Sequence, residues 1–159
     1  MRLAFMGTPD FAVPSLEELH RRGHRIALAV TQPDRPRGRG RKTEAPPVKT
    51  AAEALGIPTA QPVSVRDPET VVRLASLAPD LFVVVAFGQI LPRRVLEIPR
   101  LGPINLHASL LPRYRGAAPI QWAVINQELQ TGVTTMFMDA GMDTGPMLLS
   151  ESVPLAADE

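Results

Sequence analysis

Cysteine is absent from the 159 residues. Its absence excludes a disulfide framework, a cysteine-based zinc site and a thiol nucleophile. Histidine is scarce, limited to His20, His24 and His107, so a multi-histidine metal centre is not expected and no metal is assigned. No apolar run approaches the roughly 20 residues that a membrane span needs. The opening Met1-Arg2-Leu3-Ala4-Phe5-Met6-Gly7 is too short an apolar stretch for a secretory signal, and a turn follows at once. These absences lead us to expect a soluble cytoplasmic protein with no membrane partner. Lysine is also rare, with two against fifteen arginines.

Hydrophobic residues make up 45% of the chain and charged residues 21%, enough to bury the core of one ordinary domain. Proline is plentiful, at 17 residues. The net charge is +1, but residues 31–50 alone carry +4: Arg35, Arg37, Arg39, Arg41, Lys42 and Lys49 against Asp34 and Glu44. The remainder is therefore mildly acidic, and one basic segment on such a body suggests a localised polyanion contact.

Arg2 to Met6 reads as a short buried strand ended by Gly7-Thr8-Pro9-Asp10. Phe11 to His20 has helical spacing, closed by Gly23, and Arg25 to Thr31 is a second strand. Strand, helix and strand within about thirty residues make a βαβ unit and a parallel sheet. Gln32 to Pro47 breaks all periodicity and reads as an exposed loop. Beyond it the pattern gives a helix over Val48–Leu55, a strand over Thr59–Val63 and a helix over Pro68–Leu77. Leu81–Ala86 is apolar throughout, a strand buried on both faces. A short helix over Pro92–Leu96, a strand over Ile104–His107, a helix over Pro119–Asn126 and strands over Gly132–Met138 and Met147–Val153 complete the reading. The class is α/β: a Rossmann-like, open, mostly parallel twisted sheet with helices on both faces, forming one domain over residues 1–159. In such sheets ligands bind beyond the carboxyl ends of the strands.

Asn105 and His107 lie two apart on one strand, so their side chains share a face. An amide donor beside an imidazole suits acyl transfer, where oxygen must accept negative charge and a proton must move. Taken alone, Asn-x-His is also the pattern of a satisfied structural histidine. Asp143 lies in a glycine-bearing loop between two predicted strands. Near His107 it would orient the imidazole and favour its charged form; the other reading is a turn whose Asp bonds its own backbone. Leu110 and Leu111 are apolar residues in a loop, able to wall a pocket or simply to pack.

Taken together these segments resemble the 10-formyltetrahydrofolate-dependent formyltransferases. The resemblance is carried by Phe5-Met6-Gly7-Thr8-Pro9-Asp10-Phe11-Ala12, by Thr31-Gln32-Pro33-Asp34-Arg35-Pro36 and by Val83-Val84-Val85-Ala86-Phe87-Gly88. Its most specific stretch runs from Ile104-Asn105-Leu106-His107-Ala108-Ser109 to Gly116-Ala117-Ala118-Pro119-Ile120-Gln121, and Asp139 to Gly145 completes it. It implies that Asn105, His107 and Asp143 are catalytic. It further implies that 10-formyltetrahydrofolate rests against Phe87, Gly88, Gln89 and Ile90, against Ser109, Leu110, Leu111 and Pro112, and against Met138, Asp139, Ala140 and Gly141. Gly7-Thr8-Pro9 is no G-x-G-x-x-G fingerprint, so nicotinamide binding is not supported.

Within the family, members that act on small amines are expected to lack the long Arg/Gly/Pro insertion. Its presence resembles the branch that formylates methionyl-initiator tRNA to give N-formylmethionyl-tRNA for translation initiation. Arg37, Arg39, Arg41 and Lys42 would then contact the RNA. Formyl transfer to another amine, with a solvated loop, and a non-catalytic folate- or RNA-binding module are the competing readings. The family's separate C-terminal, tRNA-binding β-barrel domain is expected to be absent from this chain, which is expected to be a monomer.

Overall fold

The computed structural model describes residues 1–37 and 42–156. The chain divides into two compact units, Met1–Pro103 and Ile104–Glu159.

In the first unit, β1 (Arg2–Gly7) leads through a 3-10 turn at Asp10–Ala12 into α1 (Val13–Arg21) and β2 (Arg25–Val30). Two short strands, β3 (Arg35–Arg37) and β4 (Lys42–Glu44), precede α2 (Pro47–Ala54), β5 (Thr59–Ala60) and α3 (Pro68–Ser76). The unit continues with β6 (Leu81–Val85) and α4 (Arg93–Leu96). Its main sheet has the order β5-β2-β1-β6, with every pairing parallel. Leu3, Ala4, Phe5 and Met6 of β1 and Phe82 and Val85 of β6 are fully buried. Near-continuous apolar strands of this kind belong to a parallel sheet covered on both faces.

Proline starts the helices. Pro14, Pro47 and Pro68 occupy the first or second position of α1, α2 and α3, and Pro119 does so in the helix Pro119–Ile125 of the second unit. The missing N–H has no helical partner there, and the fixed φ suits the first turn. The same constraint corrects the start of α1, expected at Phe11. From Phe11, Pro14 would fall at the fourth position, where its ring meets a helical carbonyl, so the chain makes a 3-10 turn first.

The expected irregular loop over residues 32–47 is a correction of a different kind. It contains an antiparallel ribbon, with Arg35 opposite Glu44, Pro36 opposite Thr43 and Arg37 opposite Lys42. Its strands, Arg35-Pro36-Arg37 and Lys42-Thr43-Glu44, carry no large apolar side chain, so no alternation of apolar residues marks it. At its base Asp34 accepts from Lys49 Nζ at 2.9 and 3.0 Å and from Gln61 Nε2 at 2.5 Å. Lys49 first, then Gln61, holds the Asp34 carboxyl below the usual aspartate range. Strand β5 is two residues long, not the expected Thr59–Val63. Pro62 has no N–H for a ladder.

The second unit is built on β7 (Pro103–His107), α5 (Pro119–Ile125), β8 (Gln130–Phe137) and β9 (Met147–Pro154). The strands run in the order β7-β8-β9 and both pairings are antiparallel. Thr134 and Met136 of β8 are buried while their neighbours are half-exposed, a strict period of two. The α/β class and the open, Rossmann-like, mostly parallel sheet stand as expected, with the antiparallel pairings described here confined to this unit and the hairpin. Among the described residues, no helix is long and apolar enough to cross a membrane.

Gly7 ends β1 where three groups crowd it: a Cβ there would lie 2.8 Å from the Phe5 ring, 2.9 Å from Ala12 Cβ and 3.0 Å from the Val85 carbonyl oxygen. Gly7→Ala is expected to destabilise the protein by about 1–3 kcal/mol through overpacking, seen as a lower urea midpoint; an unchanged midpoint would contradict this. Asp80 accepts the Arg2 backbone N–H at 2.9 Å and the Arg100 guanidinium at 3.0 Å. These partners, the Arg2 amide foremost, lower its pKa from 3.8. Its contribution to stability is therefore complete above the ordinary value and is lost as pH falls through the lowered folded one. Asp80→Asn should flatten the fall of Tm with acid in that window, and parallel curves would refute the linkage.

Candidate functional site

The carboxyl end of β7 carries the expected pair. Asn105 stands opposite Met136 and His107 opposite Thr134 in the antiparallel ladder. Asp143 reaches them from the loop between β8 and β9. Its carboxylate Oδ1 accepts from Asn105 Nδ2 at 3.4 Å, and its Oδ2 lies 3.5 Å from His107 Nδ1. The shortest bond to Asp143 comes from the Gly116 backbone N–H, 2.8 Å from Oδ2. Asp143 has φ +53°, in the left-handed region that short polar side chains tolerate better than most. The structure thus brings Asn105, His107 and Asp143 together within one unit.

Both nitrogens of the His107 ring face acceptors: Nε2 is 2.8 Å from the Tyr114 carbonyl oxygen, and Nδ1 faces Asp143. A carbonyl only accepts, so Nε2 carries hydrogen. At 3.5 Å the Nδ1 contact lies at the outer limit of a hydrogen bond. His107 is 8% and Asp143 15% exposed at the side chain, so their interaction is little screened by solvent.

The segment after His107 is held from below by Thr134, which is buried. Its hydroxyl donates to the Ser109 carbonyl at 2.8 Å and accepts from the Leu111 N–H at 3.1 Å. Ser109 is buried too, and its hydroxyl donates to the Arg113 carbonyl at 2.6 Å. Leu110 and Leu111 are half-buried and Pro112 is exposed, giving this bend apolar edges. In the loop after β8, Asp139 Oδ1 accepts from the Gly141 N–H at 2.9 Å and the Thr144 hydroxyl at 2.7 Å. Met138 is half-buried, and Ala140 and Gly141 are exposed.

The remaining expected residues belong to the first unit. Phe87 is buried, and its carbonyl accepts from the Thr8 hydroxyl at 2.8 Å and from Gln32 Nε2 at 3.3 Å. Gly88 follows at φ +84°. Gln89 Oε1 accepts from the Val65 N–H at 2.8 Å, and Ile90 is largely exposed. Arg37 and Lys42 are cross-strand partners in the hairpin. Arg39 and Arg41 lie outside the described residues. A hollow of this unit, about 260 Å³, is bordered by Val30, Gln61, Asp67, Arg73 and Leu74 among others and includes none of the expected site residues.

Sequence reasoning missed three groups: the Tyr114 carbonyl, the Gly116 amide and the Thr134 hydroxyl. The first two are backbone atoms with no side-chain signature. Thr134 sits in the correct period-two phase of β8, but threonine is common in strands and nothing else distinguishes it.

The family profile described as Formyl transferase matches residues 1–159. The chain is 61% identical over 159 residues to the methionyl-tRNA formyltransferase of Citrifermentans bemidjiense and 58% identical to that of Geobacter sulfurreducens, covering all of this chain and 50% of each relative. It therefore spans about half the length of these relatives. Among solved structures it is similar to phosphoribosylglycinamide formyltransferase from Bacillus halodurans, with TM-score 0.79 and 24% identity over 100% of this chain and 82% of that one. Glycinamide ribonucleotide transformylase 1 from Geobacillus kaustophilus gives TM-score 0.78 and 27% identity over 99% and 85%.

Thr134→Val removes the hydroxyl at nearly constant volume and leaves the Leu111 N–H without that partner. The expected cost is about 1–3 kcal/mol, read as a lower urea midpoint with an unchanged slope. No change in the midpoint would mean the bend is held by other contacts.

Proposed function

The chain belongs to the formyl transferase family, and from that premise we propose that it moves the formyl group of 10-formyltetrahydrofolate to the α-amino group of methionyl-initiator tRNA. The observation that carries the proposal is the convergence of Asn105, His107 and Asp143 at the end of β7. Residues 1–159 are, in this reading, the catalytic domain, acting in the cytoplasm. The tRNA acceptor is favoured by the names and the 58–61% identity of the relatives.

The folate supplies an activated formyl group on a nitrogen that can leave. In the second unit its ring would lie against Leu110, Leu111 and Pro112, whose partly uncovered apolar edges suit a flat heterocycle, and against Met138–Gly141. Ser109 supports that bend from within. In the first unit we assign Phe87–Ile90 to the same ligand. Arg37, Arg39, Arg41 and Lys42 are assigned to the RNA, as cations that could meet phosphates.

As the amine attacks, a bond forms between its nitrogen and the formyl carbon, and the bond from that carbon to the folate nitrogen breaks. Negative charge builds on the formyl oxygen. Asn105 Nδ2 donates to that oxygen, and a protonated His107 stabilises the charge. Asp143 takes the proton that the attacking amine loses and passes it to the departing folate nitrogen, so the carboxylate ends ionised as it began and the proton count is unchanged.

The test is formyl transfer from 10-formyltetrahydrofolate to methionyl-initiator tRNA, beside glycinamide ribonucleotide as a competing small amine. Transfer to the tRNA alone supports both halves of the proposal, and transfer only to the small amine would overturn the RNA half. Asn105→Ala is expected to lower kcat by about 10²–10³, the loss typical of one oxyanion donor. Near-normal turnover in that variant would remove Asn105 from the chemistry.

A further inference from the structure

Resting on the formyl-transfer reading, we propose that Tyr114 is a positioning residue for His107: its carbonyl fixes the imidazole, and its side chain anchors that carbonyl to the turn after α5. The carbonyl oxygen lies 2.8 Å from His107 Nε2 and thereby places a hydrogen on that nitrogen, leaving Nδ1 as the nitrogen directed at Asp143. A backbone atom orients a ring this way only if its own peptide is held. Tyr114 has φ +56°, uncommon for a bulky side chain, so something outside the local backbone must hold it there.

The anchor is a cluster around the phenol. The Tyr114 hydroxyl donates to Glu128 Oε1 and accepts from Asn126 Nδ2 at 3.0 Å. Arg113 pairs with the same Glu128 oxygen, and its guanidinium lies 5.4 Å from the Tyr114 ring centroid, within cation–π range. Glu128 is 18% exposed. The Tyr114 hydroxyl first, then the Arg113 charge, holds its carboxyl below the usual glutamate range, so the anchor stays charged well into mild acid. Two residues beyond Tyr114, the Gly116 N–H meets Asp143 Oδ2 at 2.8 Å. One short bend therefore presents a carbonyl to His107 and an amide to Asp143, and Tyr114 ties that bend down.

Tyr114→Phe keeps the ring and the backbone and removes only the hydroxyl. The expected result is a kcat lowered about 3–10-fold, the effect of one lost hydrogen bond passed on to the imidazole, with KM for the folate and for the tRNA each held within about twofold. In protein labelled with ¹⁵N at the histidine ring, His107 of the parent should show hydrogen on Nε2, and Tyr114→Phe should show a mixture of ring protonation patterns. Glu128→Ala removes the anchor from the other side and should reproduce that spectral change. Unaltered His107 signals in both variants, or an unaltered kcat in Tyr114→Phe, would overturn the proposal. If the parent protein transfers no formyl group, the functional reading fails while the histidine spectra still decide whether Tyr114 holds the ring.

Discussion

A carboxylate that is only 15% exposed needs donors on its oxygens, and at Asp143 this requirement ties together the pieces of chain that form the candidate site. Removing such a charge from water costs several kcal/mol unless hydrogen bonds and an opposite charge compensate. Asp143 obtains its compensation from three separate pieces of chain: the Gly116 amide, the Asn105 side chain and the His107 ring. Strand β7, the bend at 114–116 and the loop after β8 are consequently fixed with respect to one another. Any conformation that loses one of these partners leaves a charge half-buried and short of a donor. The feature that would do the chemistry is also the one that defines the local fold.

The first unit rests on a different constraint, backbone satisfaction in a sheet with no polar face. β1 lies between β2 and β6 with its apolar side chains fully buried, so its amides and carbonyls have only the two neighbouring ladders for partners. Such strands are legible as unbroken apolar runs, and the βαβ opening and the strand at Leu81 were read from the sequence for that reason. Helix existence was legible as well, because proline at the first turn and glycine after the last are local signals.

What was not legible had no local signal to give. The β3–β4 ribbon carries no large apolar side chain, so it leaves no apolar period, and its arginines and proline read as a loop. β5 stops at Ala60 because Pro62 cannot extend a ladder, whereas hydrophobicity alone continues to Val63. At the site, Asn105, His107 and Asp143 were legible as residue types, but each had a plain structural alternative while their distances were unknown. The Thr134 hydroxyl, which serves both the Ser109 carbonyl and the Leu111 amide, is a long-range contact across the ladder that one-dimensional spacing does not encode.

Two of the atoms holding the site are backbone atoms, and this explains why a long ordered stretch identifies the family while three reactive side chains do not. A carbonyl or an amide can be aimed only by setting dihedral angles. Here the settings are unusual, with φ +56° at Tyr114, +85° at Gly116 and +53° at Asp143. Each position restricts which residue can occupy it: glycine where no Cβ is tolerated, a short carboxylate that bears the left-handed region, and a tyrosine whose phenol is clamped from outside. The sequence therefore records the site as a run of conformational demands from 105 to 121 and again near 143. Asn-x-His with a distant Asp is a combination chance supplies readily. The same three residues joined by a bend that can aim a carbonyl at one of them and an amide at another is a much narrower specification.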